Sequence, residues 1–222
     1  MTTLIAFDLD GVLYSSEPFI ADAYREAMAA VNEERPGSFA RVPSTREILD
    51  HVGWPVATIL ARLFPAVAGA AVDRLQAATL EVICGRVAAR AGVLYEGVAE
   101  GLRALHQAGH LLAVASNGRH RYVETVLATY GLSELFVAPI TADQVGSKPA
   151  VLGGYLERHR LSPAYTVMVG DRASDVEAAR VVGCHFIGCD YGHGHRHEIE
   201  GAGPTVSRFG EVPAAVAYLL HA

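Results

Sequence analysis

Five short apolar runs, alternating with amphipathic stretches that stop at glycine, restrict this chain to a small set of folds. The runs read as strands at 3–8, 110–115, about 136–140, 165–170 and 184–188, with a weaker sixth near 204–206. Helical patterns lie between them. Val98 to Ala108 stops at Gly109, Arg121 to Tyr130 stops at Gly131, and Asp175 to Val182 stops at Gly183. A glycine just past the last periodic residue is a helix stop signal. Ala150 to Arg160 follows Pro149. Strand and helix in alternation predict an α/β fold, a parallel sheet with helices on both faces.

Residues 15–92 break that rhythm. Amphipathic stretches at 19–32, 45–51, 56–64 and 70–91 are punctuated by Pro36-Gly37-Ser38 and Pro43-Ser44, and no strand signal appears. The expected organisation is a Rossmann-like parallel-sheet core from 1–14 and 93–222, with an all-helical cap inserted at 15–92. A helical insert over the C-terminal edge of a sheet can exclude water from a site there.

In open α/β sheets ligands bind beyond the C-terminal ends of the strands. Chemistry-bearing residues follow four of the five strands. Asp8 and Asp10 end the first, and Ser116-Asn117-Gly118 follows the second. Lys148 lies just past the third, and Gly170-Asp171-Arg172-Ala173-Ser174-Asp175 follows the fourth. Alternate residues of a strand share a face, so Asp8 and Asp10 are expected on one side. Carboxylates that close repel unless they share a cation or hold a proton, and such a cost is met mainly at sites that do chemistry.

Plain structural roles exist for each. The two aspartates can bind a structural cation or cap a turn, Asn117-Gly118 is a turn signal, and Asp175 can start a helix. Lys148 is harder to dismiss. Of 18 basic residues it is the one lysine, in a chain that uses arginine everywhere else. Lysine is a compact point charge where arginine is a broad planar fork.

The set Asp8-Leu9-Asp10-Gly11-Val12-Leu13, Ser116, Lys148-Pro149 and Gly170-Asp171 with Asp175 resembles the four motifs of the haloacid dehalogenase-like (HAD) hydrolase superfamily. It is most similar to the magnesium-dependent phosphatases of phosphoglycolate-phosphatase type with a helical cap. The stretch from His51-Val52-Gly53-Trp54-Pro55 to Leu63-Phe64-Pro65 is similar to such caps. Tyr191-Gly192 and Ala202-Gly203 resemble that family's C-terminal turns.

The resemblance implies roles. Asp8 would be the nucleophile, forming an aspartyl-phosphate. Asp10 would be the general acid and base. Ser116, the amide of Asn117 and Lys148 would hold the phosphoryl oxygens. Mg²⁺ would be held by Asp8, the Asp10 carbonyl and Asp171, with Asp175 close by or acting through water. The implied activity is magnesium-dependent hydrolysis of a small phosphorylated metabolite. Phosphoglycolate, sugar phosphates, nucleotides and pyrophosphate are all candidates.

A phosphomutase of β-phosphoglucomutase type is the alternative, though its fourth motif usually reads Glu-Asp. A 2-haloacid dehalogenase and a non-catalytic binding protein on the same fold are less favoured, because Asp8, Asp10 and Asp171 are all present. The chain departs from the pattern at Ser15-Ser16, where Asp-Ser is common, and at Glu96-Gly97, where Pro-Gly is usual. Ser116-Asn117-Gly118 is the form seen in the dehalogenases.

Composition sets further bounds. With 51% hydrophobic residues the chain can bury a sizeable core, and a net charge of −6 without a basic run argues against nucleic acid as a partner. No apolar run nears the roughly 20 residues of a membrane span, and Met1-Thr2-Thr3 enters a strand without a signal-peptide pattern. A cytoplasmic monomer or homodimer is expected. Cys84, Cys184 and Cys189 fit no disulfide or zinc pattern and read as buried small hydrophobes. His193, His195 and His197 suggest a transition-metal site, but no carboxylate or cysteine stands beside them at ligand spacing. A flexible, solvated loop is expected there, and Trp54 is expected in the cap core.

Overall fold

The computed structural model describes residues 2–67 and 69–221. In chain order the elements are β1 (Leu4–Phe7), β2 (Tyr14–Ser15), α1 (Ile20–Glu34), α2 (Thr45–Leu49), α3 (Val56–Leu63), α4 (Ala70–Ala88), β3 (Val93–Leu94) and α5 (Val98–Gln107). There follow β4 (Leu111–Ser116), α6 (His120–Thr129), β5 (Ile140–Thr141), α7 (Ala142–Val145), α8 (Lys148–His159), β6 (Thr166–Gly170) and α9 (Ala173–Val182). The chain ends with β7 (His185–Cys189), α10 (Arg196–Ile199), β8 (Thr205–Val206) and α11 (Val212–His221).

Six strands form a parallel sheet in the order β5-β4-β1-β6-β7-β8. This is the Rossmann-like α/β architecture expected from the alternation. Side-chain alternation along β1 feeds two cores. Ile5 and Phe7 join a cluster with Val98, Leu102, Val123 and Val212, while Leu4 and Ala6 join another with Val151, Leu152, Tyr155 and Ala178. Helices therefore cover both faces, as a parallel sheet requires. Burying each of these larger aliphatic or aromatic chains contributes roughly 1.5–3 kcal/mol.

A third cluster is drawn from residues 20–78 alone, with Tyr24, Met28, Ile48, Leu60, Leu63 and Leu75 inside it. It unites α1 to α4. No strand was expected in 15–92, but Ser15 belongs to one. Tyr14–Ser15 pairs antiparallel with Val93–Leu94, where the helical segment leaves and rejoins the sheet.

The strand expected at 136–140 also differs. Pro139 lacks an N–H for a ladder, so the strand begins at Ile140 and Phe136 makes only an isolated bridge to Leu112. Cys84 and Cys189 are buried, but Cys184 is only partly so, contrary to expectation. No helix among the described residues is long and apolar enough to cross a membrane.

Candidate active site

Register brings the functional ends of three strands level. Phe7 stands opposite Val114 on one side and Val169 on the other. The residues just beyond these points are Asp8, Ser116 and Asp171, all buried at one rim. Lys148 arrives there from the first turn of α8, where Ser147 caps the helix by accepting from the Ala150 N–H. Asp175 sits in the first turn of α9.

The central contact is ionic. Lys148 Nζ lies 2.8 Å from Asp8 Oδ2 and donates to Asp175 Oδ1 at 2.5 Å. Asp175 Oδ2 accepts the N–H groups of Asp171 and Arg172 at 3.1 and 2.9 Å. Asp175 thus holds the strand-to-helix turn that presents Asp171, and its helix-starting role and its place in the acidic cluster coincide. Asp8 Oδ1 accepts from the Leu9 N–H at 2.8 Å.

Asp171 Oδ2 accepts from the His193 and Gly194 N–H groups at 2.7 and 2.9 Å. Asp171 Oδ1 is buried and has no hydrogen-bond partner among the described residues. One carboxylate oxygen each of Asp8, Asp171 and Asp175 lie within 4.8 Å of one another. Burial most of all, then the charges of Asp175 and Asp171, push the Asp8 carboxyl well up, while Lys148 opposes them. Burial and Asp175 raise Asp171 to about 6. Burial works against the Lys148 ammonium, but Asp175 and Asp8 outweigh it and hold it charged. The cluster therefore carries more negative charge than one ammonium balances. An unpartnered carboxylate oxygen inside an over-negative oxygen cluster fits a hard divalent cation.

Asp10 has separate surroundings. The regular strand ends at Phe7, so strict alternation does not carry both aspartates to the same partners. Asp10 Oδ1 accepts from Tyr122 Oη at 2.7 Å and Ser16 Oγ at 3.0 Å. Burial raises its carboxyl against these two hydrogen bonds and the nearby His193. Gly11 follows at φ +85°, a conformation glycine adopts without strain, and a side chain there would run into the Asp171 carboxylate.

Ser116 Oγ accepts from the Gly118 N–H at 3.0 Å, so the turn reading of this segment is realised at a buried strand end. Asn117 Nδ2 donates to Gly53 O at 3.0 Å, and the buried Arg172 donates through Nη2 to Val52 O at 2.8 Å. The residues after Ser116 and after Asp171 both tie the helical segment to this rim.

The sequence reading missed Tyr122 and Arg172. Tyr122 had one available signal, its place in the first turns of the helix that follows Ser116-Asn117-Gly118. The histidine loop is also corrected. Its start is not a solvated loop, since His193 and Gly194 clamp Asp171 and the His193 ring is buried beside Glu17 at 3.0 Å. A side chain at Gly194 would collide with the Asp171 carbonyl. His195 and His197 are exposed and stack with centroids 5.5 Å apart. Trp54 packs at the edge of the cluster of residues 20–78, under Arg62 Cζ at 4.3 Å, and also lines a cavity beside Asp10.

A haloacid dehalogenase-like hydrolase profile matches residues 2–183. The chain is 33% identical over 216 residues to a phosphoglycolate phosphatase of Vibrio cholerae, covering 90% of each chain. It is 32% identical over 210 residues to a phosphoglycolate phosphatase of Vibrio vulnificus, covering 90% of this chain and 89% of that one. Its fold is similar to that of CbbY from Rhodobacter sphaeroides, solved in complex with phosphate, with a TM-score of 0.83, 22% identity, and coverage of 98% of this chain and 100% of that one.

Proposed function

The chain belongs to the haloacid dehalogenase-like hydrolase family and is a phosphatase within it, and on that premise we propose that it hydrolyses a small phosphomonoester through an aspartyl-phosphate on Asp8, with Mg²⁺ bound. The observation that carries this reading is the buried group of Asp8, Asp171 and Asp175 around Lys148, with one Asp171 oxygen left without a partner.

Asp8 and Asp171 would hold the metal with the Asp10 backbone carbonyl. Asp175, both of whose oxygens already accept hydrogen bonds, acts from behind. When bound, Mg²⁺ supplies charge neutralisation and polarises a phosphoryl oxygen. Asp8 would attack phosphorus with its carboxylate, whose ionised form Lys148 favours from 2.8 Å. Lys148, the Ser116 hydroxyl and the Asn117 N–H stabilise the phosphoryl oxygens, since phosphoryl transfer is mainly positioning and electrostatics. Asp10, whose carboxyl burial raises, gives a proton to the departing alkoxide. It then takes a proton from the water that opens the aspartyl-phosphate.

We further propose that 15–92 acts as a cap on a core of 1–14 and 93–222. The separate apolar cluster of residues 20–78 and the paired ribbon of β2 and β3 support that division. A cytoplasmic setting, as a monomer or homodimer, completes the reading. The test is release of inorganic phosphate from phosphomonoesters with and without Mg²⁺, together with trapping of the Asp8 site by beryllium fluoride. Metal-independent turnover would overturn the reading.

A further inference from the structure

A cavity of about 80 Å³, open in part to solvent, begins at Asp10 and Ser116 and runs beneath α1 to α4. A proton donor at the mouth of a cavity places the leaving group inside it. The walls are mainly apolar, with Ile20, Ile48, Trp54, Ile59, Leu80 and Ile83 around the space. Tyr24, Gln76, Thr79 and Arg119 interrupt them with polar groups. Thr79 Oγ1 is buried and has no hydrogen-bond partner among the described residues. Among the described residues Arg119 donates only to Gln76 Oε1, at 3.5 Å.

A small hydrated leaving group such as glycolate or glycerol would lose water against these walls and find few replacements beyond Arg119 and Gln76, which disfavours it. An apolar alcohol gains instead, by about fourfold in binding for each buried methylene. The Thr79 hydroxyl and Arg119 leave room for an acceptor oxygen on an otherwise apolar body.

Resting on the phosphatase reading above, we propose that the substrate is the phosphomonoester of a largely apolar alcohol carrying one hydrogen-bond acceptor for Thr79. The organic group lies against Trp54, Ile59 and Ile83, and the phosphate lies at Asp8.

The test compares kcat/KM, with Mg²⁺ present, for benzyl phosphate, methoxybenzyl phosphates, glycerol 3-phosphate and phosphoglycolate. All four release a primary alcohol. Benzyl phosphate should exceed glycerol 3-phosphate and phosphoglycolate by about tenfold or more. One methoxybenzyl isomer should improve on it, and Thr79→Val should remove that improvement alone. Ile59→Asn and Ile83→Asn should each cut the benzyl preference to a few-fold. A preference for phosphoglycolate or glycerol 3-phosphate, or an unchanged benzyl preference in both asparagine variants, would overturn the substrate class and leave the phosphatase reading standing. Failure to hydrolyse any of these esters or p-nitrophenyl phosphate would overturn both.

Discussion

The Tyr122 hydroxyl donates to Asp10 Oδ1 at 2.7 Å across 112 residues of sequence. This hydrogen bond favours the ionised carboxylate and so restrains the rise that burial imposes on Asp10. In Tyr122→Phe the carboxyl should rise further. If Asp10 is the acid, the alkaline limb of the kcat–pH profile should then move to higher pH. Turnover at neutral pH should fall by about tenfold as the carboxyl loses its orientation. An unmoved alkaline limb would separate Tyr122 from the acid.

Asp8→Asn should abolish turnover while the protein stays folded. The substitution removes a buried carboxylate whose ionised form burial disfavours, so the melting temperature should hold or rise. Loss of at least about 10³-fold in kcat is expected for a nucleophile. Near-normal rates in a purified, folded variant would end the covalent mechanism.

Lys148→Ala should behave differently. It strips the ammonium from Asp8 and Asp175 and leaves buried charges uncompensated, at about 3–5 kcal/mol in stability without metal. Added Mg²⁺ should recover part of that loss. Chemical denaturation of the variant with and without the ion reads both effects.

Magnesium binding should strengthen with pH. The Asp171 carboxyl is raised to about 6 in the metal-free protein. A raised carboxyl contributes stability that is fully present below the unfolded value near 4 and is lost as pH rises through about 6. Mg²⁺ needs the deprotonated form, so proton and metal compete across that window. The increase in melting temperature on adding Mg²⁺ should be larger at pH 7.5 than at pH 5. Equal shifts would place the metal away from Asp171.

Arg172→Met should loosen the segment around Val52 and Gly53. The substitution strands the Val52 carbonyl and unpairs Glu198, which lies 3.4 Å from Arg172 Nη1. A loss of about 2 kcal/mol in stability is expected. If this contact seats the cap, KM should rise more than kcat falls. A fall in kcat alone would assign Arg172 to the chemistry instead.

Local pattern alone was enough for the parallel sheet and its helices, because strand and helix periods and glycine stops are short-range properties. The positions of Asp8, Ser116 and Asp171 at strand ends and of Lys148 at a helix start were visible for the same reason. Residues far apart in the chain carry no such local mark. The Tyr122 bond to Asp10, the Arg172 and Asn117 ties to Val52 and Gly53, and the clamp of His193 and Gly194 on Asp171 all depended on tertiary packing. So did the apolar character of the chamber beside Asp10, whose walls come from five separate helices and the loop at Trp54 and become one surface only when the chain is folded.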